Sequence, residues 1–417
     1  MIEEMGQKAK SAAKEMARAP SHKKNEVLRT IAALLETEQD RILSANQQDI
    51  DEAEIQGLSG SMIDRLSLQG RLTGIIGDID RVIALEDPVG ERFDALNLPN
   101  GLTVCKQRVP IGVLGVIYES RPNVTLDIAA LAIKTGNCVI LRGGSETIRS
   151  NRELVRVIHT ALVQSGLPPT AIQFVDDPDR RHVKDLLHHH QYVDLIIPRG
   201  GAKLHQFCRE NSMIPVITGG IGVCHLYVDQ SADLEKSVDV VFNAKTQRPT
   251  VCNALDTLLM HHDIAPAFLP LVVQRLKEAG VTFRFDENSW KLLNEEEKSS
   301  GQVAKPEDWE TEWLDLILGI KIVENLDEAI DHIATCSTGH SDGILTHNEG
   351  RAQKFVNEVD SSTVYVNAST RFTDGGQMGL GAEVAISTQK LHARGPMGLK
   401  EITTYKWVVE GNYTIRK

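Results

Sequence analysis

Over the first hundred residues, apolar positions recur three and four apart among Lys, Glu and Gln, as in NEVLRTIAALLETE. That spacing predicts helices over 2–18, 22–46 and 48–56. The pattern changes at LNLPNGLTVCKQRVP (96–110), where a Pro99-Asn100-Gly101 turn between short strand-like runs reads as a projecting hairpin. From residue 111, short apolar runs alternate with amphipathic stretches. GVLGVI (112–117), CVIL (138–141), IQFV (172–175), YVDLIIP (192–198) and PVIT (215–218) are expected strands, and 124–136 is an expected helix closed by Gly136. Strands alternating with helices imply a parallel sheet covered on both faces.

Near residue 220 the alternation starts again, with HLYV, a helix over 231–244, the Cys252 region, LLMH and a helix through APAFLPLVVQRLKEAG. It continues with IKIV, GILT and TVYVNAS, and with helices at 326–336 and 349–358. Residues 287–313 are polar and acidic and read as a surface excursion. The tail reads as two strands, TTYKWVV and NYTI, about a turn at Glu410-Gly411-Asn412. With residues 96–108 it would form a small sheet. A chain of 417 residues suits two or three domains of this kind.

Composition narrows the function classes. The formal net charge of −12 leaves no basic footprint for nucleic acid and disfavours an anionic membrane surface. No apolar run approaches the roughly 18 residues of a spanning helix, and the N-terminus carries no signal-like apolar core. Six cysteines lie far apart without a CxxC pair, so reduced thiols and a cytoplasmic location are expected. His188-His189-His190 and His261-His262 have no matching acidic or thiol cluster, so no metal site is expected.

Two features carry possible chemistry. Arg142-Gly143-Gly144-Ser145 and Arg199-Gly200-Gly201 each end a strand and open a helix. Glycine lets the backbone approach a phosphate there, the helix N-terminus offers N–H groups, and arginine adds paired donors. Neither is a GxGxxG fingerprint, so on these residues alone a plain chain reversal is equally open. The other feature is Cys252 in TQRPTVCNALDTLL, with Lys245, Arg248 and Pro249 before it and Asn253 after. A nucleophilic thiol belongs in such a partly exposed, electropositive loop, but spacing alone favours a packed thiol.

The string VPIGVLGVIYESRPNVTLDIAALAIKTGNCVILRGGSET resembles the aldehyde dehydrogenase superfamily. More narrowly, YESRPNVT, ILRGGSE, IIPRGG, KTQRPTVCNALDTLL, the run from Val323 through HSDGIL, and VYVNASTRFTDGGQMGLGAEVAISTQKLHARGPMGL are similar to its gamma-glutamyl phosphate reductase family. The resemblance implies an α/β fold of two αβ domains plus an arm. These would be a Rossmann-like NADPH-binding domain (1–95 and 109–220), a catalytic domain (221–398) and a β oligomerisation arm (96–108 and 402–417). It further implies NADPH-dependent reduction of gamma-glutamyl phosphate to glutamate 5-semialdehyde and phosphate, the second step of proline synthesis from glutamate. Cys252 would be the nucleophile that carries the acyl group as a thioester. A homodimer or homotetramer is expected, with transient association with glutamate 5-kinase.

Departures from the wider superfamily sharpen this. Thr218, in ITGGIG, stands where oxidising members have the glutamate that activates water, which suits a reductase. Arg142 and Ser145 replace a lysine and a glutamate at the adenosine ribose, which favours a 2′-phosphate and hence NADPH. The cofactor set is then Arg142, Gly143, Gly144, Ser145, Arg199, Gly200 and Gly201, with Glu312 at the nicotinamide ribose. Arg121, Asn123, Asn253, Asn367, Arg371 and Arg394 are candidates for substrate, and Glu383 for its ammonium group. The superfamily's oxyanion asparagine has no clear match in YESRPN. Rival readings are an acyl-CoA-type aldehyde dehydrogenase and a non-catalytic partner of the kinase.

Overall fold

The computed structural model describes residues 1–219 and 221–416, which form two compact units. The first unit comprises Met1–Thr218, Gly379–Ala385 and the described part of 397–417. Its centre is a parallel sheet built from β3 (Val113–Tyr118), β4 (Cys138–Arg142), β5 (Ile172–Phe174) and β6 (Leu195–Arg199), after an antiparallel pair β1 (Arg92–Asn97) and β2 (Thr103–Pro110). The parallel order is β5-β4-β3-β6, so successive crossovers run one way from β3 and the chain then returns to its other side. β3 and β4 are buried along their whole length, which explains why they read as apolar runs, up to Arg142 at the end of β4, rather than alternating ones.

The helix Asn123–Thr135 ends where Gly136 takes φ 68°, with Asn137 N–H returning to the Ala132 carbonyl. The Asn137 side chain then accepts from Gly112 N–H and donates to the Ile402 carbonyl, tying the tail to this sheet. The tail strand Thr403–Glu410 pairs antiparallel with β2 over eight residues, completing a three-stranded sheet. Its exposed face carries Tyr405, Trp407 and Val409.

The second unit spans Gly219–Met378 (Gly220 apart) and Ile386–Pro396. Its sheet comprises β7 (Cys224–Val228), β8 (Leu255–His261), β9 (Thr282–Phe285), β10 (Gly301–Val303), β11 (Ile317–Val323), β12 (Ser341–Leu345) and β13 (Thr363–Val366). All seven strands are parallel, in the order β10-β9-β11-β8-β7-β12-β13. Alternation along the strands sends Leu226, Leu258 and Met260 to one core, against the helices Leu234–Thr246 and Ala265–Lys277. Tyr227, Leu259 and Ile344 go to the other, against Leu326–Cys336 and Glu349–Glu358.

Several expectations are corrected. The second helix stops at Thr37 and a new one starts at Gln39, so 22–46 is not continuous. No Gly or Pro marks that break; Glu38 leaves helical geometry at φ −107° and ψ 17°. PVIT contributes one bridge, Ile196 to Val216, rather than a strand. NYTI is not a strand, because β2 has no residues left to pair beyond Glu410. The acidic excursion 287–313 is ordered: Asp286 caps the helix Glu287–Leu292, Asn294 makes a capping box for Glu295–Lys298, and β10 extends the sheet. No helix among the described residues is long and apolar enough to cross a membrane.

Candidate active site

In the second unit the N-terminal ends of neighbouring strands converge. Cys252 lies in a turn closed by Ala254 N–H to the Val251 carbonyl, between the helix Leu234–Thr246 and β8. Each side of this turn is fixed. The Cys224 thiol donates to the Cys252 carbonyl at 3.2 Å, and Gly222 approaches so closely that a Cβ there would lie 1.6 Å from that oxygen. Thr370 Oγ1 donates to the Asn253 carbonyl at 2.7 Å. Asn253 Nδ2 donates to the carbonyls of Arg371, at 3.3 Å, and Thr373, at 2.9 Å.

Beneath the turn, Asp256 is a β-bulge: Cys224 pairs with Leu255 and His225 with Thr257, leaving Asp256 as the extra residue. The bulge frees its carboxylate to accept from Cys224 N–H and Trp313 N–H. Lys245 Nζ lies 3.8 Å from that carboxylate and donates to the Leu255 carbonyl at 2.9 Å. Burial raises the Asp256 pKa and lowers that of Lys245, the direction expected for an ion pair removed from water. Glu312 accepts from Gly222 N–H at 2.9 Å, and burial raises its pKa too. A chain of side chains runs underneath: His340 Nδ1 to Ser341 Oγ at 2.8 Å, Ser341 to Thr373 at 2.6 Å, and Thr373 to Tyr365 at 2.7 Å.

Among the cysteines, Cys252 and Cys336 are partly exposed and the other four are buried. Burial pushes the Cys138 and Cys208 thiols up to about 12 and raises those of Cys224 and Cys336 as well. Cys252 has a different setting. Arg371 donates from Nε to Gln247 at 2.9 Å, and its guanidinium feels both the Arg248 charge and the Cys252 thiol. Burial lowers the Arg371 pKa first, and repulsion from Arg248 adds to it. Arg371, which feels both the thiol and a second arginine, offers a guanidinium to an anion at this turn.

In the first unit, the loops at the C-terminal ends of β3 and β6 flank the point where strand order reverses, the usual place for a ligand in an open α/β sheet. Both Arg-Gly-Gly turns lie at this edge, and each is met by a carboxylate. Glu119 Oε2 accepts from Gly201 N–H at 3.1 Å, and a Cβ at Gly200 would lie 2.3 Å from that oxygen. Glu146 Oε1 accepts from Ser120 N–H and Oγ, and a Cβ at Gly144 would meet it at 2.2 Å. Gly201, at the cap of the helix Ala202–Asn211, has open space where a side chain would be. Arg142 Nε is buried without a hydrogen-bond partner. Glycine cradles, an open helix cap holding an anion and an orphaned guanidinium nitrogen fit a phosphate-bearing cofactor.

Two residues of the substrate set lie close to these turns. Asn123 Nδ2 donates to Asp127 at 2.9 Å, while Arg121 and Arg199 act on the same carboxyl. Burial nevertheless pushes Asp127 up to about 6. Its one sequence signal was an acidic residue inside an otherwise apolar helix. Glu383 belongs to the first unit, in 379–385, and Thr218 ends that unit's main stretch.

The second unit therefore brings together Cys252, Asn253, Glu312 and Arg371, and the first unit brings together the two Arg-Gly-Gly turns, Arg121 and Asn123. Three residues of the substrate set have structural partners of their own. Asn253 is 4% exposed and spends its amide nitrogen on two carbonyls. Asn367, at φ 55°, bonds both the N–H and the carbonyl of Thr346. Arg394 pairs with Asp360 at 2.9 Å. Asp256, Asp127 and the glutamates that meet the two turns, Glu119 and Glu146, carried no such signal along the chain. His261 and His262 stack at 4.6 Å and, with Asp263, bring three potential ligand atoms together. His261 Nδ1 already accepts from Asp263 N–H, which closes a local turn.

The aldehyde dehydrogenase family model matches residues 1–290 and 310–408. The chain belongs to the aldehyde dehydrogenase family. Its relatives within that family include gamma-glutamyl phosphate reductases. The chain is 56% identical to that of Psychromonas ingrahamii, covering 100% of this chain and 99% of the relative. It is 55% identical to that of Shewanella pealeana, over 99% and 98% of the two chains. The crystal structure of gamma-glutamyl phosphate reductase from Thermotoga maritima superposes with a TM-score of 0.96 at 46% identity, over the whole of both chains. Membership in this family accounts for the two αβ units with their parallel sheets.

Proposed function

We propose that the chain reduces gamma-glutamyl phosphate to glutamate 5-semialdehyde and phosphate, with NADPH as reductant and Cys252 as nucleophile, in proline biosynthesis from glutamate. The observation that carries this reading is the Cys252 turn, which holds a partly exposed cysteine near Arg371, itself near Arg248. Full-length identity to gamma-glutamyl phosphate reductases supports the choice of substrate over an acyl-CoA.

The Cys252 thiolate adds to the acyl carbon, and the carbon–oxygen bond to phosphate breaks with its electron pair leaving on phosphate. Arg371 and Arg248 offset the charge of the departing phosphate. The product is a glutamyl thioester on Sγ. Gly143, Gly144, Gly200, Gly201 and Arg199 would hold the cofactor, which when bound supplies the hydride that reduces the thioester carbon. The thiohemiacetal on Sγ then collapses, releasing aldehyde and restoring the thiolate. Thr218 offers no carboxylate base at its position, so the thioester is kept from hydrolysis there. Glu312 is the proposed partner for the nicotinamide ribose, and Arg121 and Glu383 for the substrate's α-carboxylate and α-ammonium. The exposed face of Tyr405, Trp407 and Val409 supports self-association into a homo-oligomer. The lability of an acyl phosphate is the reason to expect transient contact with glutamate 5-kinase.

The test is oxidation of glutamate 5-semialdehyde by the purified chain with NADP. Activity should require inorganic phosphate and should not be supported by coenzyme A in its place. Turnover that depends on coenzyme A, or none with phosphate, would overturn the reading.

A further inference from the structure

Arg142 is 8% exposed, and its fork is already occupied: Nη1 donates to the Gly143 carbonyl at 2.6 Å and Nη2 to the Pro178 carbonyl at 2.8 Å. A guanidinium so deeply placed, with two of its five N–H groups committed, is better suited to fixing a loop than to meeting a phosphate alone. The loop it fixes, residues 176–180, follows β5 at the C-terminal edge of the sheet and leads into the helix Arg181–His188. That loop is acidic, yet each acid has a side-chain partner. Asp176 pairs with Arg152, Asp177 with His182 and Asp179 with Arg181. Asp177 and Asp179 also accept the backbone N–H groups of Asp179 and Arg181.

Arg180 is left over. It is exposed and, among the described residues, makes no side-chain hydrogen bond or ion pair. It nevertheless stands near enough to Arg142 for the charges to interact: burial lowers the Arg142 pKa, and repulsion from Arg180 adds to it against the pull of Glu146. Glu146 and Asp177 pull on Arg142 electrostatically, but neither makes an ion pair with it among the described residues, and Glu146 Oε1 already accepts from Ser120 N–H and Oγ. The exposed hydroxyl of Ser145 opens the same turn. Two neighbouring guanidinium groups with no carboxylate in ion-pair contact, among the described residues, suit a dianion.

We propose that Arg180 is the residue that selects for the cofactor's 2′-phosphate, and that Arg142 is a positioning residue that holds the Arg180 loop through the Pro178 carbonyl. The inference rests on the NADPH reading above. It is tested by calorimetric titration of 2′,5′-ADP and 5′-AMP into the intact protein. Wild-type protein binds 2′,5′-ADP more tightly, and Arg180→Ala cuts that preference about tenfold, the scale of one charge-assisted contact. Arg142→Lys keeps the charge but loses the fork, so it cuts the preference similarly, and the double variant is no worse than either alone. Additive losses would overturn the positioning role. A preference retained by Arg180→Ala while wild type still discriminates would overturn the inference and leave the NADPH reading standing. No preference in the wild type would overturn both.

Discussion

Gly222 and the Cys252 carbonyl are packed so tightly that a methyl group on Gly222 would lie 1.6 Å from the oxygen. The thiol turn therefore depends on a residue thirty positions away having no side chain. Gly222→Ala must push the turn off Cys224 and Glu312. The expected result is a loss of about 1–3 kcal/mol in urea denaturation, as for other overpacked sites, with a fall in kcat larger than the fall in folded protein. Unchanged kcat would show that the turn tolerates displacement.

Asn253 gives a second prediction. Its amide nitrogen serves the Arg371 and Thr373 carbonyls, so Asn253→Ala leaves two acceptors without their donor. Stability should fall by about 1–3 kcal/mol. Because the same contact places Arg371, the KM for phosphate in the oxidative direction should rise. Asn253→Asp, which cannot donate there, should be at least as damaging.

The buried histidine under the turn sets a pH dependence. Burial lowers the His340 pKa from 6.5 to about 4, with Asp342 opposing. A depressed pKa means that the folded state favours neutral imidazole. The stability this contributes is present above pH 6.5 and is lost as pH falls through about 4. Measured against His340→Asn, the wild type should lose denaturation free energy between those limits, at up to about 1.4 kcal/mol per pH unit. Parallel curves would show that His340 is not the titrating group.

Glu119 occupies the helix cap at Gly201 with its own carboxylate. An incoming phosphate must share or displace that anion. Glu119→Gln removes the charge while keeping the shape, so NADPH should bind about two- to fivefold more tightly, the range of one charge at a helix terminus. Weaker binding, read by quenching of protein fluorescence, would mean that Glu119 contacts the cofactor favourably.

Much of this was legible along the chain, because buried parallel strands are written as apolar runs and Gly136 closes its helix as the motif requires. Cys252 was legible as a residue type in a loop, but its setting was not. Asp256 becomes a bulge only through the register between β7 and β8, which no local pattern records. Asn253 invited a functional reading because it follows the thiol, yet its partners lie more than a hundred residues away. Asn367 and Arg394 likewise have partners that no local pattern shows, Thr346 and Asp360. The break at Glu38 carries no Gly or Pro, so helix periodicity ran straight through it.

The central claim is that the acyl group rides on Cys252. The most direct measurement is mass spectrometry of peptides after the protein is incubated with glutamate 5-semialdehyde and NADP in the absence of phosphate, then quenched in acid. The account predicts a glutamyl adduct on the Cys252 peptide that disappears when phosphate is added before the quench, and no adduct in Cys252→Ser. An adduct on another residue, or phosphate-dependent turnover in Cys252→Ser at near the wild-type rate, would contradict it.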